Sequence, residues 1–493
     1  MSLLPYTLYR AADARELDRI AIETAGVSGI QLMNRAGQAV FDELRYRWPD
    51  AKRILIFCGG GNNGGDGYVV ARLAQAAGLS PILVALGDPA ALTGDAALAW
   101  QQAREAGLVC TTYYPHLFNG VEVVVDALFG TGLDREVVAE YADLVNAING
   151  SGVPVVAVDI PSGLHADTGR VLGVAVKAAL TVTFIALKQG QFTDEGPELC
   201  GELVFNGLAV PDSVYAQVPA AAERIDWVKV REVLGQRSRS AHKGRFGYVL
   251  VIGGNHGMAG AVRMSAEAAM RTGAGLTSVA TRPEHVATMV ATLPEEMWHG
   301  VEAISDLSEM MTKATVIAIG PGLGHDDWAQ ALLMMALGSD LPLVVDADAL
   351  NLLAEYPDGT HSNWVMTPHP GEAARLLGTS TDDINQDRFD AVARLQQHYG
   401  GVAVLKGAGS LVCDPGGLIA LCSDGNPGMA TGGMGDVLTG VIAALVAQGL
   451  SLEEAARAGV SLHAAAADRA ALAGERGMMA TDLMPHLRYL VNS

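Results

Sequence analysis

Short apolar runs alternate along this chain with segments in which apolar residues recur at helical spacing. The first half begins with a helical pattern over residues 11–48, followed by apolar runs at 53–58, 80–86, 121–127, 153–159 and 180–184. The second half carries runs at 248–252, 276–280, 316–319, 342–346, 364–367 and 402–406, then helical patterns at 435–448 and 452–473. Short Val- and Ile-rich runs between helices are typical of buried parallel strands. The pattern predicts an α/β protein with two doubly wound α/β/α domains.

The two series of strands are separated by a stretch without periodicity. Residues 211–225 contain two prolines and an Ala-Ala-Ala-Glu run, which favours a linker. A chain of 493 residues has room for two to four domains of ordinary size. The stretch without periodicity between the two series of strands predicts two domains, over residues 1–222 and 226–493.

The composition indicates which binding partners and which cellular compartment to expect. The formal net charge is −21 and no stripe of Lys or Arg is present, so binding to nucleic acid is not expected. The five cysteines contain no CxxC pair, which favours a reducing cytoplasm over a disulfide framework. No apolar run reaches the ~18 residues of a membrane helix. We expect a soluble cytoplasmic homo-oligomer with small-molecule substrates.

Three predicted strand ends in the first half carry oxygen ligands. Six glycines lie between Gly59 and Gly67 around Asn62, Asn63 and Asp66, just before a helix, and glycines there let the backbone approach a ligand. Asp126 ends the next central run, and the run after it ends with Asp159, followed by Ser162. In open α/β sheets ligands bind outside the carboxyl ends of the strands. The cluster suits a cation, ribose hydroxyls or a general base; a plain βα turn and helix-capping aspartates are the structural alternatives.

In the second half, glycines precede a helix that begins with an acidic residue. Residues 430–436 read Ala-Thr-Gly-Gly-Met-Gly-Asp, and successive free N–H groups there would form an anion hole for a phosphoryl group. Asp436 lies in the first turn, where the helix dipole favours its ionised form. It is placed to take a proton from a substrate hydroxyl beside that group. An ordinary capping aspartate is the alternative.

Further loops after predicted strands join this second site. Lys406 and the loop through Ser410 offer a cation and backbone N–H groups, and residues 320–324 give close backbone access. His369 lies between two prolines, where a ligand role is favoured over a structural one. Asp346 and Asp348 either hold Mg²⁺ through water or cap the following helix. The glycine-rich residues 253–261 complete a rim.

These motifs, in this order, resemble a known family over essentially the whole chain. The second half is similar to the ribokinase-like, ADP-dependent NAD(P)H-hydrate dehydratases through IGPGLG, TPHPGE, LKGAGS and GGMGDVLTG. The first half resembles the NAD(P)H-hydrate epimerases, with a Rossmann-like fold, through MNRAG, GGGNNGGDGY, DALFGTGLDR and DIPSGL. The resemblance implies a bifunctional enzyme that epimerises hydrated NADH and NADPH and dehydrates the S form with ADP, releasing AMP and phosphate.

The resemblance also implies roles for individual residues. Asp159 and Asp436 would be the catalytic residues of the two halves. Potassium would be bound by Asn63, Asp126 and Ser162. In the epimerase half the substrate would contact Asp159 and two segments: Asn62, Asn63, Gly64, Gly65 and Asp66, and Gly130, Thr131, Gly132, Leu133, Asp134, Arg135 and Glu136. In the dehydratase half it would contact Ala261, Gly322, Gly324, His369 and Asp436. The adenine nucleotide would be bound by Lys406, Gly407, Ala408, Gly409, Ser410 and Gly435, with Mg²⁺ beside it.

Two other interpretations are compatible with parts of the pattern. A ribokinase-like kinase for a sugar or vitamin, with an unrelated N-terminal half, would use the same anion hole. Alternatively, the N-terminal half is a ligand-binding or interaction module, although such a module has no need of a cation-ready cluster. One departure from the family pattern is Asn255-His256, where a Ser and a variable residue are expected. The role of that rim is therefore open.

Overall fold

The computed structural model describes residues 4–24, 26–356 and 360–493. These residues divide into two compact units, Met1–Glu223 and Arg224–Ser493. Each unit contains its own mostly parallel sheet with helices around it. No helix within the described ranges is long and apolar enough to cross a membrane.

The first unit is built from helices that alternate with mostly short strands. Its strands are β1 (Thr7–Tyr9), β2 (Arg53–Cys58), β3 (Ser80–Ala85), β4 (Cys110–Thr111), β5 (Val123–Ala127), β6 (Val155–Val158), β7 (Leu180–Phe184), β8 (Leu187–Lys188), β9 (Glu202–Asn206) and β10 (Ala222–Ile225). Its helices are α1 (Ala11–Thr24), α2 (Gly29–Arg47), α3 (Asn62–Ala76), α4 (Gly94–Glu105), α5 (Ala139–Gly150), α6 (Gly196–Cys200) and α7 (Asp212–Tyr215).

The sheet of the first unit runs in the order β4-β3-β2-β5-β6-β7-β9. Six of these strands reproduce the 3-2-1-4-5-6 order of the Rossmann fold, all in parallel register. The order reverses between β2 and β5, so the carboxyl ends of those strands open a crevice there. The Rossmann-like prediction is confirmed, and the crevice lies between the segments that follow β2 and β5, which contain Asn63 and Gly130.

The helical pattern at the N-terminus is interrupted. We expected a single helical stretch over residues 11–48, but α1 and α2 are separate helices. Gly26 has φ +69°, a conformation that ends regular helix, and Ser28 begins the next one. The Ser28 N–H donates to the Gln31 side chain at 3.0 Å, as in a capping box. Periodicity alone does not show such a break, whereas the Gly-Val-Ser sequence does.

The predicted linker contains regular structure. Within residues 211–225 the chain forms α7 and then β10, which pairs antiparallel with β1 through Thr7↔Glu223 and Leu8↔Ala222. Ala222 and Ile225 are buried. A strand of four residues is too short to show alternation, so the linker interpretation was wrong for this part.

The second unit has a longer set of elements. Its strands are β11 (Tyr248–Ile252), β12 (Leu276–Thr281), β13 (Met297–Gly300), β14 (Val316–Ile319), β15 (Leu343–Val345), β16 (Trp364–Met366), β17 (Val402–Leu405), β18 (Leu411–Cys413) and β19 (Ile419–Cys422). Its helices are α8 (Trp227–Val230), α9 (Ala259–Thr272), α10 (Pro283–Thr292), α11 (Ile304–Met311), α12 (Asp327–Leu337), α13 (Ala347–Leu353), α14 (Pro370–Leu377), α15 (Thr381–Gln386), α16 (Arg388–Tyr399), α17 (Met434–Ala447), α18 (Leu452–Ala471) and α19 (Met484–Leu490).

The strands of the second unit follow the order β13-β12-β11-β14-β15-β16-β17-β18-β19. Pairing is parallel from β13 to β17 and antiparallel in β17-β18-β19. The order reverses between β11 and β14, next to the glycine loops that follow both strands. The six runs predicted in this half are strands, whereas β13, β18 and β19 were missed.

Two core helices of the second unit pack unusually closely. A Cβ added at Gly440 in α17 would come within 2.0 Å of the Ser265 carbonyl oxygen in α9. The Ser265 hydroxyl also donates to the Asp436 carbonyl at 2.8 Å. The contact fixes the first turn of α17, and with it Asp436, relative to the sheet.

Candidate active sites

A cavity of about 820 Å³ opens in the first unit, in the crevice where its strand order reverses. Strand ends and helix starts that are far apart in sequence contribute to its wall. Its polar lining includes Arg15, Asp18, Asn63, Asp66, Asp159 and Lys188. The structure therefore brings together residues from two of the three predicted strand ends, with three groups that the sequence did not single out.

The glycine-rich segment is largely helical. α3 begins at Asn62, so Gly64, Gly65 and Gly67 lie in its first turns. A Cβ at Gly64 would come within 2.0 Å of the Gly59 carbonyl oxygen, and one at Gly67 within 2.7 Å of the Cys58 sulfur. These glycines allow the helix to pack on the strands; Asn62, Asn63 and Asp66 line the cavity, and Gly64 and Gly65 do not.

Asp159 adopts a conformation that is rare outside glycine. Its φ is +68°, in the left-handed region, and its side chain is 18% exposed. The carboxylate accepts hydrogen bonds from the Thr183 hydroxyl and the Phe184 N–H, both at 3.2 Å. It also forms an ion pair with Lys188, whose side chain is 1% exposed. A buried lysine and two hydrogen-bond donors thus orient the Asp159 carboxylate at the edge of the cavity.

Two further carboxyl groups face the same cavity. Asp18 is an exposed residue, but partial desolvation of its carboxyl group in the cavity, followed by the nearby charge of Asp159, raises its pKa to about 6. Burial, Asp159 and Asp18 raise the pKa of Asp66 well above its usual range. Three carboxyl groups and one lysine therefore share this region. The raised pKa values of Asp18 and Asp66 mean that these two carboxyl groups tend to keep their protons.

Asp126 and Ser162 meet beneath the cavity. The Ser162 hydroxyl donates to one Asp126 oxygen at 2.6 Å, and the Ser162 N–H donates to the other at 2.8 Å. The carbonyl oxygen of Phe129 lies 3.2 Å from the Ser162 hydroxyl. Asn63 is buried nearby against Gly130, and its amide nitrogen makes no hydrogen bond. Burial raises the pKa of Asp126 to about 6.

The loop after β5 forms another wall of the cavity. Gly130, Thr131, Gly132, Leu133, Asp134 and Arg135 line it, and Glu136 does not. The Thr131 carbonyl accepts a hydrogen bond from Arg15 of α1 at 3.4 Å. The loop is therefore tied to the N-terminal helix, a contact that no local motif indicates.

In the second unit, Asp436 lies in the first turn of α17 after Gly433, which has φ +91°. We expected the helix dipole to favour its ionised form. Instead, burial, the charge of Asp346 and more weakly those of Asp348 and Glu372 raise the pKa of Asp436 to about 7, against the opposing effect of Lys406. The neighbouring carboxylates outweigh the dipole, so the expected direction was wrong.

Lys406 lies at the centre of the second site. Its ammonium group donates to Asp346 at 2.6 Å and lies 3.7 Å from Glu372. The Thr439 hydroxyl donates to the other Asp346 oxygen at 2.8 Å. Burial opposes ionisation of Asp346, but Lys406 outweighs it and holds the pKa of Asp346 below its usual range. A Cβ at Gly435 would lie 3.3 Å from the Lys406 nitrogen, so the loop and the helix start adjoin.

The alternative cap role of Asp346 and Asp348 is not observed. Asp346 precedes α13 but makes no side-chain capping bond, because its carboxylate is bound by Lys406 and Thr439. Asp348 accepts from the Gly324 N–H at 2.9 Å and pairs with His325 at 3.3 Å. Both aspartates therefore organise the neighbouring loops.

The glycine loop after β14 meets the rim after β11. A Cβ at Gly322 would lie 3.3 Å from that of Ala261, and one at Gly324 would lie 2.6 Å from the Asn255 amide nitrogen. Asn255 donates to the Leu323 carbonyl at 3.0 Å and is buried. Asn255 thus holds this loop, whereas His256 is exposed and paired with Glu284 at 2.7 Å.

His369 caps a helix and remains half exposed. Its Nδ1 atom accepts from the Gly371 N–H at 3.0 Å, at the start of α14, and Nε2 lies 3.4 Å from Glu372. Burial and the charge of Lys406 lower the pKa of His369. A neutral ring with Nε2–H available can still contact a ligand, so the structural and ligand roles are compatible.

The loop of Lys406 to Ser410 rests on a buried arginine. Arg388 donates to the carbonyls of Lys406 and Gly409 at 3.4 and 3.3 Å. A Cβ at Gly407, which has φ +144°, would come within 2.4 Å of the Arg388 guanidinium. The Ser410 hydroxyl donates to the Gly407 carbonyl at 3.2 Å. The loop is therefore preformed, with Ala408 at its tip.

Sequence reasoning missed several residues of both sites. They are Arg15, Asp18 and Lys188 in the first unit, and Thr439 and Arg388 in the second; Glu372 was quoted within a motif but given no role. Lys188 is the second residue of the two-residue strand β8, which is too short to detect, and Arg388 is distant in sequence from the loop it supports. Only Asp18 gave a local signal, as an acidic residue among the apolar positions Leu17, Ile20 and Ala21.

The two folds and their sites define the class of protein. Residues 249–488 match the family model of the NAD(P)H-hydrate dehydratases, and residues 29–190 match that of the YjeF-related protein N-terminus. A ribokinase-like superfamily protein from Enterococcus faecalis is 33% identical, with a TM-score of 0.51 over 55% of this chain and 95% of that chain. The second unit is thus ribokinase-like, as predicted.

Full-length relatives complete the identification. The bifunctional NAD(P)H-hydrate repair enzyme Nnr of Coxiella burnetii is 53% identical over 98% of this chain and 99% of its own length. The enzyme of that name from Escherichia coli is 45% identical over 99% and 95%. The chain belongs to the family of bifunctional NAD(P)H-hydrate repair enzymes, with an epimerase half and a dehydratase half. The predicted family is confirmed, and the small-molecule kinase and interaction-module interpretations are not supported.

Proposed function

We propose that the first unit interconverts the R and S forms of hydrated NADH and NADPH, and that the second unit dehydrates the S form with ADP. The epimerase half is assigned to residues 1–222 and the dehydratase half to residues 226–493. The observation that carries the proposal is the presence, in each unit, of a buried lysine paired with a carboxylate at the carboxyl ends of the parallel strands: Lys188 with Asp159 after β6, and Lys406 with Asp346 after β15.

In the epimerase half, Asp159 is the proton acceptor. The hydrate carries a hydroxyl at ring carbon C6, next to nitrogen N1. Asp159 removes the hydroxyl proton, the C6–N1 bond breaks, and the ring closes again on either face of C6. The ion pair with Lys188 and the hydrogen bonds from Thr183 and Phe184 orient the carboxylate for this step. The surrounding loop, residues 130–136, together with Asn62–Asp66 of α3, would hold the nucleotide.

In the dehydratase half, Asp436 accepts the proton of the same hydroxyl. The hydroxyl oxygen attacks the β-phosphorus of ADP, AMP leaves, and phosphate then departs from C6 as a proton is lost from C5. Free N–H groups at the start of α17 stabilise the transferring phosphoryl group. A carboxyl with a pKa of about 7 is well matched to a general base at neutral pH.

The remaining site residues would divide between substrate and nucleotide. Ala261, Gly322, Gly324 and His369 would contact the hydrate. The first three follow the adjacent strands β11 and β14, and His369 follows β16 at the same edge of the sheet. Lys406 to Ser410 and Gly435 would bind ADP. Support comes from the preformed loop over Arg388 and from the proximity of Gly435 to Lys406.

Potassium is proposed at Asn63, Asp126 and Ser162. The donor atoms are oxygens, and no side-chain cation pairs with the buried Asp126 in the part of the chain that the structure describes. Within the same ranges no cluster of three His, Cys, Asp or Glu side chains is arranged for a metal, which is consistent with a weakly bound monovalent ion rather than zinc. Bound potassium would supply positive charge that orders the loop containing Phe129.

Magnesium is proposed beside the ADP phosphates. Both Asp346 oxygens are already bound, by Lys406 and Thr439, so this residue fits contact through water better than direct coordination. All five cysteines are free thiols, which supports the proposed cytoplasmic location. The expected homo-oligomer is checked by light scattering of the full chain.

The test follows NAD(P)H recovery from a mixture of both hydrate epimers with ADP. The full chain should restore the dihydronicotinamide absorbance completely. Asp436→Ala should restore none and still bind ADP by calorimetry, whereas Asp159→Asn should convert the S form and leave the R form, apart from its spontaneous epimerisation. Complete recovery at parental rate by Asp159→Asn, or turnover by Asp436→Ala, would refute the corresponding assignment.

A further inference from the structure

The N-terminal helix α1 contributes to the cavity of the epimerase half, although it precedes the segment matched by the family model, residues 29–190. Arg15 and Asp18 are one turn apart on this helix, and both line the cavity. Arg15 binds the loop after β5 through the Thr131 carbonyl. Asp18 has a different environment, because its carboxyl group forms no hydrogen bond or ion pair within the described residues.

The proposed ring opening requires a proton donor as well as a base. When the C6–N1 bond breaks, its electron pair goes to N1, and an anionic nitrogen is a poor leaving group. A proton delivered to N1 in the same step removes that barrier. Asp159 does not fill this role, because it takes the proton of the hydroxyl and its carboxylate is paired with Lys188.

The groups around Asp18 are well defined. The charges of Asp159 and Lys188, on other elements, shift the pKa of Asp18. The charge of Asp18 in turn raises the pKa values of Asp66 and Tyr215. Tyr215, on α7, has its pKa raised by burial to about 12 and stays neutral. Asp66 is the alternative donor, but it is less exposed to solvent than Asp18. Asp18 can therefore exchange its proton with water between turnovers more readily than Asp66.

We infer that Asp18 is the general acid of the epimerase half, acting opposite Asp159; this rests on the proposed epimerisation. The C6–OH proton passes to Asp159 as the C6–O bond becomes a carbonyl, C6–N1 breaks, and Asp18 gives its proton to N1. Rotation about C5–C6 presents the other face of the aldehyde. N1 then attacks C6, Asp18 takes back the N1 proton, and Asp159 returns its proton to the oxygen.

The charges of the cavity fit this division of roles. Partial desolvation in the cavity and the charge of Asp159 raise the pKa of Asp18 to about 6, whereas Lys188 pairs with Asp159. Pairs of carboxyl groups whose environments differ in this way are typical of acid–base catalysis.

The test uses Asp18→Asn, which keeps the shape of the side chain and cannot donate a carboxyl proton. Interconversion of purified (R)-hydrate is followed by chiral chromatography without ADP, with the spontaneous rate subtracted. The rate should fall about 100-fold, the lower end of a general-acid contribution. The alkaline decline of kcat/KM, which reports loss of the acid's proton in the parent, should also disappear. Asp18→Glu should retain part of the rate and the decline.

Glu16→Gln is the matched control, since it removes an acid from the same helix where Glu16 pairs with Arg19 outside the cavity. It should leave epimerisation unchanged. Dehydration of the S form by Asp18→Asn should also be unchanged, which shows that the chain is folded. A rate within threefold of the parent, or a lowered rate that keeps the alkaline decline, overturns the assignment. Absence of epimerisation by the parent itself would instead refute the proposed function.

Discussion

The two active sites use the same kinds of group in different pairings. Each contains one buried lysine among several carboxyl groups: Lys188 with Asp18, Asp66 and Asp159, and Lys406 with Asp346, Asp348, Glu372 and Asp436. In the epimerase half the lysine pairs directly with the proposed base. In the dehydratase half the lysine pairs with Asp346, whose charge in turn acts on the proposed base, Asp436.

The difference shows how a lysine can tune a base in two ways. Lys188 pairs directly with Asp159, at a cavity that also contains groups able to hold a proton. Lys406 keeps Asp346 ionised, and burial together with that negative charge raises the pKa of Asp436. A carboxylate with a raised pKa suits a hydroxyl that must attack phosphorus.

The largest expected effect comes from removing the lysines. Lys406→Met leaves Asp346 fully buried without its cation and should lower the free energy of unfolding by about 3–5 kcal/mol. Lys188→Met leaves the partly exposed Asp159, which still accepts two hydrogen bonds, and should cost less, about 1–3 kcal/mol. Urea unfolding of the full chain followed by circular dichroism measures both.

Lys313→Met is the control for this pair of variants. Lys313 and its partner Glu309 are both largely exposed, so its loss should leave the free energy of unfolding nearly unchanged. If Lys188→Met destabilises the chain as much as Lys406→Met, the two lysines are equivalent and the contrast between the sites is wrong.

The second prediction concerns a feature that both halves share, a helix glycine packed closely against a backbone carbonyl oxygen. Gly64→Ala and Gly440→Ala each place a Cβ about 2.0 Å from a carbonyl oxygen, of Gly59 and Ser265 respectively. Each should cost about 1–3 kcal/mol of stability and lower the activity of its own half alone. Gly150→Ala, at the end of α5 with open space around it, is the control and should be neutral or slightly stabilising. A tolerated Gly64→Ala would show that α3 can withdraw from the strands.

The smallest effect is a pH dependence. Asp436 acts in its ionised form and its pKa is about 7, so kcat/KM for dehydration should fall about tenfold per pH unit below that value and level off above it. Asp346→Asn removes the charge that raises this pKa and should move the limb to lower pH. Asp159→Asn should leave the limb in place, because it lies in the other half. An unchanged limb in Asp346→Asn would contradict the indirect role of Lys406.

Sequence predicted the sheets well because buried parallel strands have a strong local pattern. The runs at 53–58, 180–184, 248–252 and 316–319 coincide with β2, β7, β11 and β14. The break between α1 and α2 and the strand β10 were missed. Hydrophobic periodicity is averaged over many residues, so it does not show a single left-handed glycine or a strand of four residues.

The sites were partly predictable for a related reason. Glycine loops and strand-end aspartates are local signals, so Asn63, Asp126, Asp159 and Asp436 were found. Lys188 was missed because its role depends on a fold that returns it to Asp159, 29 residues away. The predicted direction of the Asp436 pKa was wrong because burial of its carboxyl group and the charges of three carboxyl groups from distant segments outweigh the helix dipole. A single sequence shows neither effect.

The backbone at Asp159 also determines which residues the position tolerates during mutation. A φ of +68° costs about 1–2 kcal/mol for most side chains, while Asn and Gly adopt it readily. A saturation library at this codon should therefore separate into two phenotypes. Asn and Gly variants would accumulate as folded, inactive epimerases, whereas the other substitutions would lose cellular abundance as well. Loss of catalysis and loss of protein would thus be distinguishable at one position.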